Sequence, residues 1–213
     1  LCDHVEQLFG DWKPNQVGEP KSTNGHATNG YIPFESNQSH VGIAYPTIPY
    51  KHPDYFQAWA AVGVLSSGSS SRLFTEVREK RGLVYTVYAS MHSLKDRGSI
   101  LAYAGTTAER AQETLDVMLA ELRGLFDGIR ADELDRLKGR IKRSLIIQQE
   151  SSPSRAGSIA LDWYYLNRVR TMPELSKIID DLTPDGINAY LATNRPGSFT
   201  VVTVGPEPLQ YKS

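Results

Sequence analysis

The 213-residue chain carries 23 lysine and arginine residues against 24 aspartate and glutamate residues, and 40% of its residues are hydrophobic. This is the composition of a folded globular protein, and a formal net charge of −1 gives no electrostatic basis for binding nucleic acid or an anionic membrane. A single cysteine, Cys2, excludes an internal disulfide, and the longest nearly apolar run, residues 58–65, is too short to span a bilayer. A soluble protein is expected, with the cytoplasm favoured and the periplasm or an organelle matrix left open.

The first residues predict the end of a preceding domain. Leu1, Val5 and Leu8 recur at helical spacing and Gly10 ends the pattern, so residues 1–13 are assigned to a preceding domain's last helix. Residues 14–36 consist mostly of Gly, Pro, Ser, Thr and Asn, which predicts a linker. The main domain is therefore assigned to residues 37–213.

The main domain begins with a strand over 40–45, followed by a helix over 53–65, a Ser/Gly turn over 66–71 and a helix over 72–81. Two strands joined by a polar turn are predicted over 84–91 and 99–105. A capping box at Thr106 and Glu109 predicts the start of a helix that Gly128 ends, and further helices are predicted over 131–150 and after Ser152, Thr171 and Thr183. A last strand covers 199–204. Hairpin-connected strands with a block of helices favour an α+β fold with an antiparallel or mixed sheet.

The histidines do not predict a metal site. No two of the five histidines stand three to five residues apart, so no helix presents a histidine pair to a metal. The stretch beginning at His4 reads His-Val-Glu-Gln, in which glutamine stands where a zinc helix needs its second histidine. Phosphate-binding loops, nucleophile elbows and dinucleotide-binding fingerprints are also missing from the sequence.

Three other segments have a functional and a structural interpretation. The serine-rich turn over 66–71 could cradle an anion, or it is a flexible turn with a serine cap, which is the simpler interpretation. A basic cluster lies mostly opposite the apolar stripe of its helix and is interpreted as a solvated face; it comprises Lys138, Arg140, Lys142 and Arg143. Three consecutive aromatic residues are interpreted as core or interface packing: Trp163, Tyr164 and Tyr165.

One string is specific enough to indicate a family. Residues 70–85 read Ser-Ser-Arg-Leu-Phe-Thr-Glu-Val-Arg-Glu-Lys-Arg-Gly-Leu-Val-Tyr, which resembles the second, zinc-free half of insulinase-type (pitrilysin or processing-peptidase) zinc metallopeptidases. Residues 8–12, 38–46, 183–191 and 201–206 are similar, in the same order, to the end of the family's first half and to elements of its second half. The resemblance covers nearly the whole chain, although only the first string is specific.

The resemblance implies a site divided between two halves. The other half, or a partner subunit, carries a His-x-x-Glu-His helix and a further glutamate, which hold Zn²⁺ and supply a general base; no cofactor is expected in this fragment. By position, Arg78 and Tyr85 correspond to the arginine and tyrosine that the zinc-free half contributes to catalysis. Gly68, Ser69 and Ser70 correspond to the substrate-contacting loop, where relatives often have more glycines. Tyr88 is a nearby alternative, but as a strand residue it is expected to face away from Tyr85.

The implied function is that of the C-terminal half of a zinc peptidase, which closes over peptide substrates and is inactive alone. Two alternatives stay open. The chain could be a non-catalytic subunit of a heteromeric peptidase or a respiratory complex, or a free-standing peptide-binding module that accepts a strand at its sheet edge.

Overall fold

The computed structural model describes residues 1–13 and 28–211, and the side chain of Gln149 is not among the described parts. Most of the predicted linker, residues 14–27, thus lies outside the described residues. The elements in chain order are α1 (Cys2–Phe9), β1 (Gly30–Pro33), β2 (Gln38–Thr47), α2 (Tyr55–Ser66), a π-helix (Phe74–Glu79), β3 (Val84–Ser93), β4 (Gly98–Thr107), a 3-10 turn (Ala108–Arg110), α3 (Ala111–Leu125), α4 (Ala131–Glu150), α5 (Ser152–Leu166), α6 (Met172–Asp181), α7 (Pro184–Thr193) and β5 (Thr200–Gly205).

In the described part of the chain, five strands form one mixed sheet in the order β1-β5-β2-β4-β3. The central strand β2 pairs antiparallel with β4 along its whole length, from Gln38 opposite Thr107 to Thr47 opposite Gly98. β3 and β4 form the predicted hairpin, and β1 alone runs parallel to its neighbour, β5. The α+β class with a mixed sheet is therefore confirmed.

Alternate residues of the strands are apolar and form one apolar face of the sheet, and the helices cover that face. Val41, Ile43 and Tyr45 of β2 are buried on that face. α2 is apolar around most of its circumference and packs against β3, α4 and α7, as a helix surrounded by protein must. Its contact with α4 is close: a Cβ at Gly63 would come within 2.8 Å of Leu137 Cδ1. None of the described helices is both long and apolar enough to cross a membrane.

Strand β1 was not predicted, and it falls within the range assigned to the linker. The strand and the residue before it are anchored by partners distant in sequence. The Tyr31 hydroxyl donates to the carbonyl oxygen of Gly205 at 3.0 Å, and Asn29 Oδ1 accepts from the backbone N–H of Val201 at 2.8 Å. A short edge strand among glycine, asparagine and proline leaves no alternating pattern to recognise. The assignment of residues 1–13 to a preceding domain stays a prediction; α1 has no buried residue.

The predicted helix starts differ in how they are capped. Thr171 and Thr183 cap α6 and α7, since their side chains accept hydrogen bonds from the N–H groups of Glu174 and Gly186. The capping box predicted at Thr106 does not form. Thr106 belongs to β4, and its buried hydroxyl donates to the carbonyl oxygen of Leu83 at 2.7 Å. The hydrogen bond to Leu83 therefore outweighs the local capping sequence at Thr106.

A buried ion pair connects α5 to the rest of the domain. The Asp162 carboxylate accepts from the backbone N–H of Arg170 at 2.9 Å and from the Tyr50 hydroxyl at 3.0 Å, and it pairs with the Arg170 guanidinium. Burial acts to raise the pKa of Asp162, but the hydrogen bonds and charge of Arg170 hold that pKa below its ordinary value. Trp163 and Tyr164 are exposed, so core packing is wrong for both of them.

Candidate functional site

The structure brings Arg78 and Tyr85 together. The Arg78 guanidinium carbon lies 5.6 Å from the centroid of the Tyr85 ring and 4.9 Å from that of Phe74, which is cation–π distance. Tyr85 is 84% exposed. Among the described residues, neither the Arg78 guanidinium nor the Tyr85 hydroxyl has a hydrogen-bond partner. Both groups therefore keep free donors for a ligand.

Arg78 is carried by a π-helix rather than by the regular helix predicted over 72–81. The Lys80 N–H bonds to the carbonyl oxygen of Thr75 at 2.9 Å, five residues back, and the chain reverses at Gly82, whose φ is 60°. π-helices frequently occur at functional sites, because the wider turn changes the direction of one side chain. Here the helix end directs Arg78 toward the following strand.

Two other cations of this helix end share one carboxylate. The Glu76 carboxylate pairs with Lys80 at 2.6 Å and with Arg81 at 2.9 Å. Hydrogen bonds from Lys80 and Arg81 hold the pKa of Glu76 below its ordinary value. Since both cations are bound to Glu76, Arg78 is the cation of this turn that remains available.

Tyr85 occupies a β-bulge at the start of the edge strand β3. Val84 pairs with Thr106 and Thr86 with Gly105, so Tyr85 is an extra residue with no partner on β4. A bulge redirects a side chain at the cost of ladder hydrogen bonds, and bulges recur beside active sites. Further along, Tyr88 faces Tyr103 across the strands, with ring centroids 5.3 Å apart, and takes no part in the Arg78 contact.

A shallow open cavity of about 230 Å³ adjoins the pair. Its lining residues are Ser66, Gly68, Ser69, Ser71, Phe74, Arg78, Tyr85, Thr86 and Val87. Four of the five predicted site residues thus border one cavity. The fifth, Ser70, borders neighbouring cavities on the other side of the loop.

The serine-rich loop over 66–71 has a defined conformation. The Ser66 hydroxyl accepts from the N–H of Ala89 at 2.7 Å, which fixes the start of the loop to β3, and the Ser71 hydroxyl donates to the Gly68 carbonyl oxygen at 2.6 Å. Gly68 has φ of 97°, a backbone conformation that other residues rarely adopt. Its lack of a side chain also admits Arg140, whose Nη1 would lie 1.6 Å from a Cβ at this position.

Arg72 holds the helix of the candidate site in place through partly buried hydrogen bonds, a role that the sequence did not reveal. Its guanidinium donates to Glu133 Oε1 at 2.7 Å and Oε2 at 2.8 Å, and to the carbonyl oxygens of Gly124 and Gly128. Burial acts to raise the pKa of Glu133, but hydrogen bonds from Arg72 and from the Arg130 backbone keep that pKa below its ordinary value. The first turn of the Arg78 helix is thereby attached to the α3–α4 loop.

The chain offers no zinc site of its own over residues 1–13 and 28–211. No group of three or more His, Cys, Asp or Glu side chains in those ranges is arranged to hold a metal ion.

Comparison with known proteins identifies the family. Residues 1–141 match the family profile described as the Peptidase M16 inactive domain. The chain belongs to the M16 peptidase family. This M16 domain is 31% identical over 175 residues to an uncharacterized zinc protease of Bacillus subtilis, YmxG, a match that covers 81% of the chain and 42% of the relative. It is 30% identical over 189 residues to the uncharacterized zinc protease Rv2782c of Mycobacterium tuberculosis, covering 86% of the chain and 42% of the relative.

Solved structures agree with this assignment. The crystal structure of a peptidase M16 inactive domain from Pseudomonas fluorescens superposes with a TM-score of 0.76 at 27% identity, covering 87% of this M16 domain and 45% of that chain. A protease from Helicobacter pylori has the same fold, with a TM-score of 0.76 at 23% identity, covering 96% and 51%. The chain spans about half the length of the relatives that it matches, or less.

Proposed function

We propose that this domain is the substrate-binding half of a zinc-dependent metalloendopeptidase, which closes over a peptide whose scissile bond lies at zinc held by another half or a partner subunit. Arg78 and Tyr85 are its catalytic residues, and Gly68, Ser69 and Ser70 contact the peptide. The observation that carries the proposal is the contact between a guanidinium and a phenol, both with free donors, on an exposed bulge beside the serine-rich loop.

The chemistry of these two groups suits peptide hydrolysis. Attack on a peptide carbonyl places negative charge on its oxygen, and a hydroxyl donor directed at that oxygen stabilises the transition state. Tyr85 supplies such a donor. Arg78 supplies fixed positive charge and several N–H donors that hold the same or the adjacent carbonyl. Zinc held by the other half would activate the attacking water. Closure of that half over Tyr85 would remove water and strengthen both interactions.

The lengths of the relatives support a one-chain arrangement. The domain accounts for 42% of YmxG and of Rv2782c, both named zinc proteases, which leaves room for a second half of similar size. A partner subunit would satisfy the same chemistry, with Arg78 and Tyr85 acting across the subunit interface. In either arrangement the substrates are peptides or unfolded segments that fit between two halves.

The first test replaces Tyr85 by phenylalanine in the complete protein or complex. Loss of one oxyanion donor is expected to lower kcat by roughly ten- to a thousand-fold while zinc content and melting temperature stay unchanged. Tyr88→Phe is the matched control, since Tyr88 is exposed on the same strand but does not contact Arg78. An unaltered kcat for Tyr85→Phe, or an equal loss in the control, removes Tyr85 from the mechanism.

The second test replaces Arg78 by alanine. A residue that grips the peptide raises KM, or raises KM and lowers kcat together, because ground-state binding is lost along with transition-state binding. Arg155→Ala is the control, since Arg155 is an exposed arginine of α5 that does not line the 230 Å³ cavity. A variant that melts at lower temperature but keeps both kinetic constants would make Arg78 a structural residue.

A further inference from the structure

A second cavity of about 430 Å³ lies across the serine-rich loop from Tyr85. Ser69 and Ser70 line it on one side, and Arg140 and Arg143 of α4 line it on the other. Because Gly68 has no side chain, the Arg140 guanidinium contacts its backbone directly. The sequence interpretation of these arginines as a solvated helix face does not account for this contact.

The neighbouring cations of α4 are already bound. Lys138 Nζ donates to the carbonyl oxygen of Asp180 at 2.8 Å, and Lys142 forms an ion pair with the carboxylate of the same residue. Arg136, which also lines the cavity, pairs with Asp132 at 2.8 Å.

Arg140 and Arg143 differ from these neighbours, because neither has a hydrogen bond or an ion pair with any residue that the structure describes. Two carboxylates border the cavity. Glu133 is buried and bound to Arg72, whereas Asp135 is exposed. The cavity therefore presents two free guanidinium groups against one free carboxylate, which favours an anionic ligand.

The loop connects this cavity to the proposed site. Ser69 and Ser71 line both cavities, so the two lie on either side of one short segment. A peptide that passes over Tyr85 and continues across the loop reaches Arg140 and Arg143 within a few residues, since an extended chain advances about 3.3 Å per residue. The hydroxyls of Ser69 and Ser70, both exposed, add donors along that path.

We propose that Arg140 and Arg143, together with Ser69 and Ser70, form a subsite for a carboxylate of the bound peptide, so that the enzyme prefers substrates with an acidic group beside the scissile region. This inference rests on the proposed function, because it takes the ligand to be the peptide held at Arg78 and Tyr85. The carboxylate can come from an Asp or Glu side chain or from the peptide's C-terminus, and both sources present the same pair of oxygens to a guanidinium.

The test measures binding of three fluorescein-labelled peptides of identical length to the complete protein, with zinc chelated so that the peptides stay intact. One carries three Glu residues and a C-terminal amide, one carries three Gln residues and an amide, and one carries three Gln residues and a free carboxylate. The wild type is expected to bind at least one carboxylate-bearing peptide roughly tenfold more tightly than the Gln amide, and which one it prefers identifies the source.

The variants decide whether the arginines cause this preference. The Arg140→Gln/Arg143→Gln double variant should bind all three peptides equally, with its affinity for the Gln amide unchanged. Arg143→Lys, which keeps the charge, should retain most of the preference, and Arg155→Gln should retain all of it. Equal binding of the three peptides by the wild type, or a preference that survives in the double variant, overturns the inference.

This outcome is separate from that of the proposed function. Binding needs no cleavage, so a charge preference that depends on the arginines supports the subsite even if Tyr85→Phe leaves kcat unaltered. Conversely, a large loss of kcat in Tyr85→Phe together with equal binding of the three peptides sustains the proposed function and eliminates the subsite.

Discussion

Replacement of Arg72 by alanine should destabilise the domain more than any other single truncation of an ion pair near the site. Arg72 is the bidentate partner of Glu133, whose side chain is only 6% exposed. Removing the guanidinium leaves the buried carboxylate with only the Arg130 backbone N–H and the exposed Arg130 side chain as partners, and it takes one donor from each of the carbonyl oxygens of Gly124 and Gly128. A loss of this kind costs about 3–5 kcal/mol, which for a chain of this size lowers the melting temperature by roughly 6–20 °C.

The structure supplies a matched control on the same carboxylate. Arg130 also approaches Glu133, at 3.5 Å, but its side chain is 66% exposed, so Arg130→Ala should lower the free energy of unfolding far less than Arg72→Ala does. An Arg72→Met/Glu133→Leu double variant should recover most of the stability, apart from about 1 kcal/mol for the lost capping of α4. Urea unfolding at pH 7 measures all three. If the free energy of unfolding of Arg72→Ala lies within about 1 kcal/mol of that of the wild type, the Glu133 carboxylate does not depend on Arg72, and the expected loss of stability is wrong.

Two further perturbations follow from the loop and from the buried pair. Gly68→Ala should lower the free energy of unfolding in urea by about 1–2 kcal/mol because of the positive φ of Gly68, and it should do so by the same amount in an Arg140→Ala background. A Gly68→Ala variant as stable as its parent, or more stable, would contradict backbone strain at this position. The folded-state pKa of Asp162 lies below its unfolded value near 3.9, so its contribution is complete above that pH and is lost as the pH falls further. Asp162→Asn should therefore lower stability at pH 7 and flatten the decline in stability below about pH 4. An unchanged decline at acid pH, in a series of unfolding midpoints measured against pH, would contradict this.

The parts of the fold that could be predicted from sequence are those determined by local pattern. β2, the β3–β4 hairpin and helices α4, α6 and α7 lie close to their predicted positions, because apolar periodicity, threonine caps and a polar turn mark them. β1 was missed, since four residues among glycine and proline acquire strand structure only from β5. The helix before Gly82 was predicted, but not its π geometry, which depends on a hydrogen bond five residues back.

The sequence led to the residues of the candidate site, whose role stays a prediction, but not to their geometry. The string over 70–85 led to Arg78 and Tyr85 by resemblance alone, and no periodicity indicates that Tyr85 is the extra residue of a bulge. Arg72 was passed over because its partner, Glu133, lies 61 residues away. Arg140 is exposed, as its assignment to a solvated face predicts, but its contact with Gly68 exists only once α4 lies against the loop. Long-range packing decides each of these, and a single sequence does not encode it in a local pattern.

The position of β5 has a consequence for how the domain is made. β5, the last of the five strands in sequence, lies in the sheet between β2 and the edge strand β1. The hydrogen bond from Val201 to Asn29 spans 172 residues. During synthesis, residues 30–33 emerge first yet have no pairing partner until residues 200–205 follow. Contacts so far apart in sequence carry a large loop-closure entropy and form late. Backbone amides of β1 should therefore be among the last in the sheet to gain protection from hydrogen exchange during refolding, after the β3–β4 hairpin is complete.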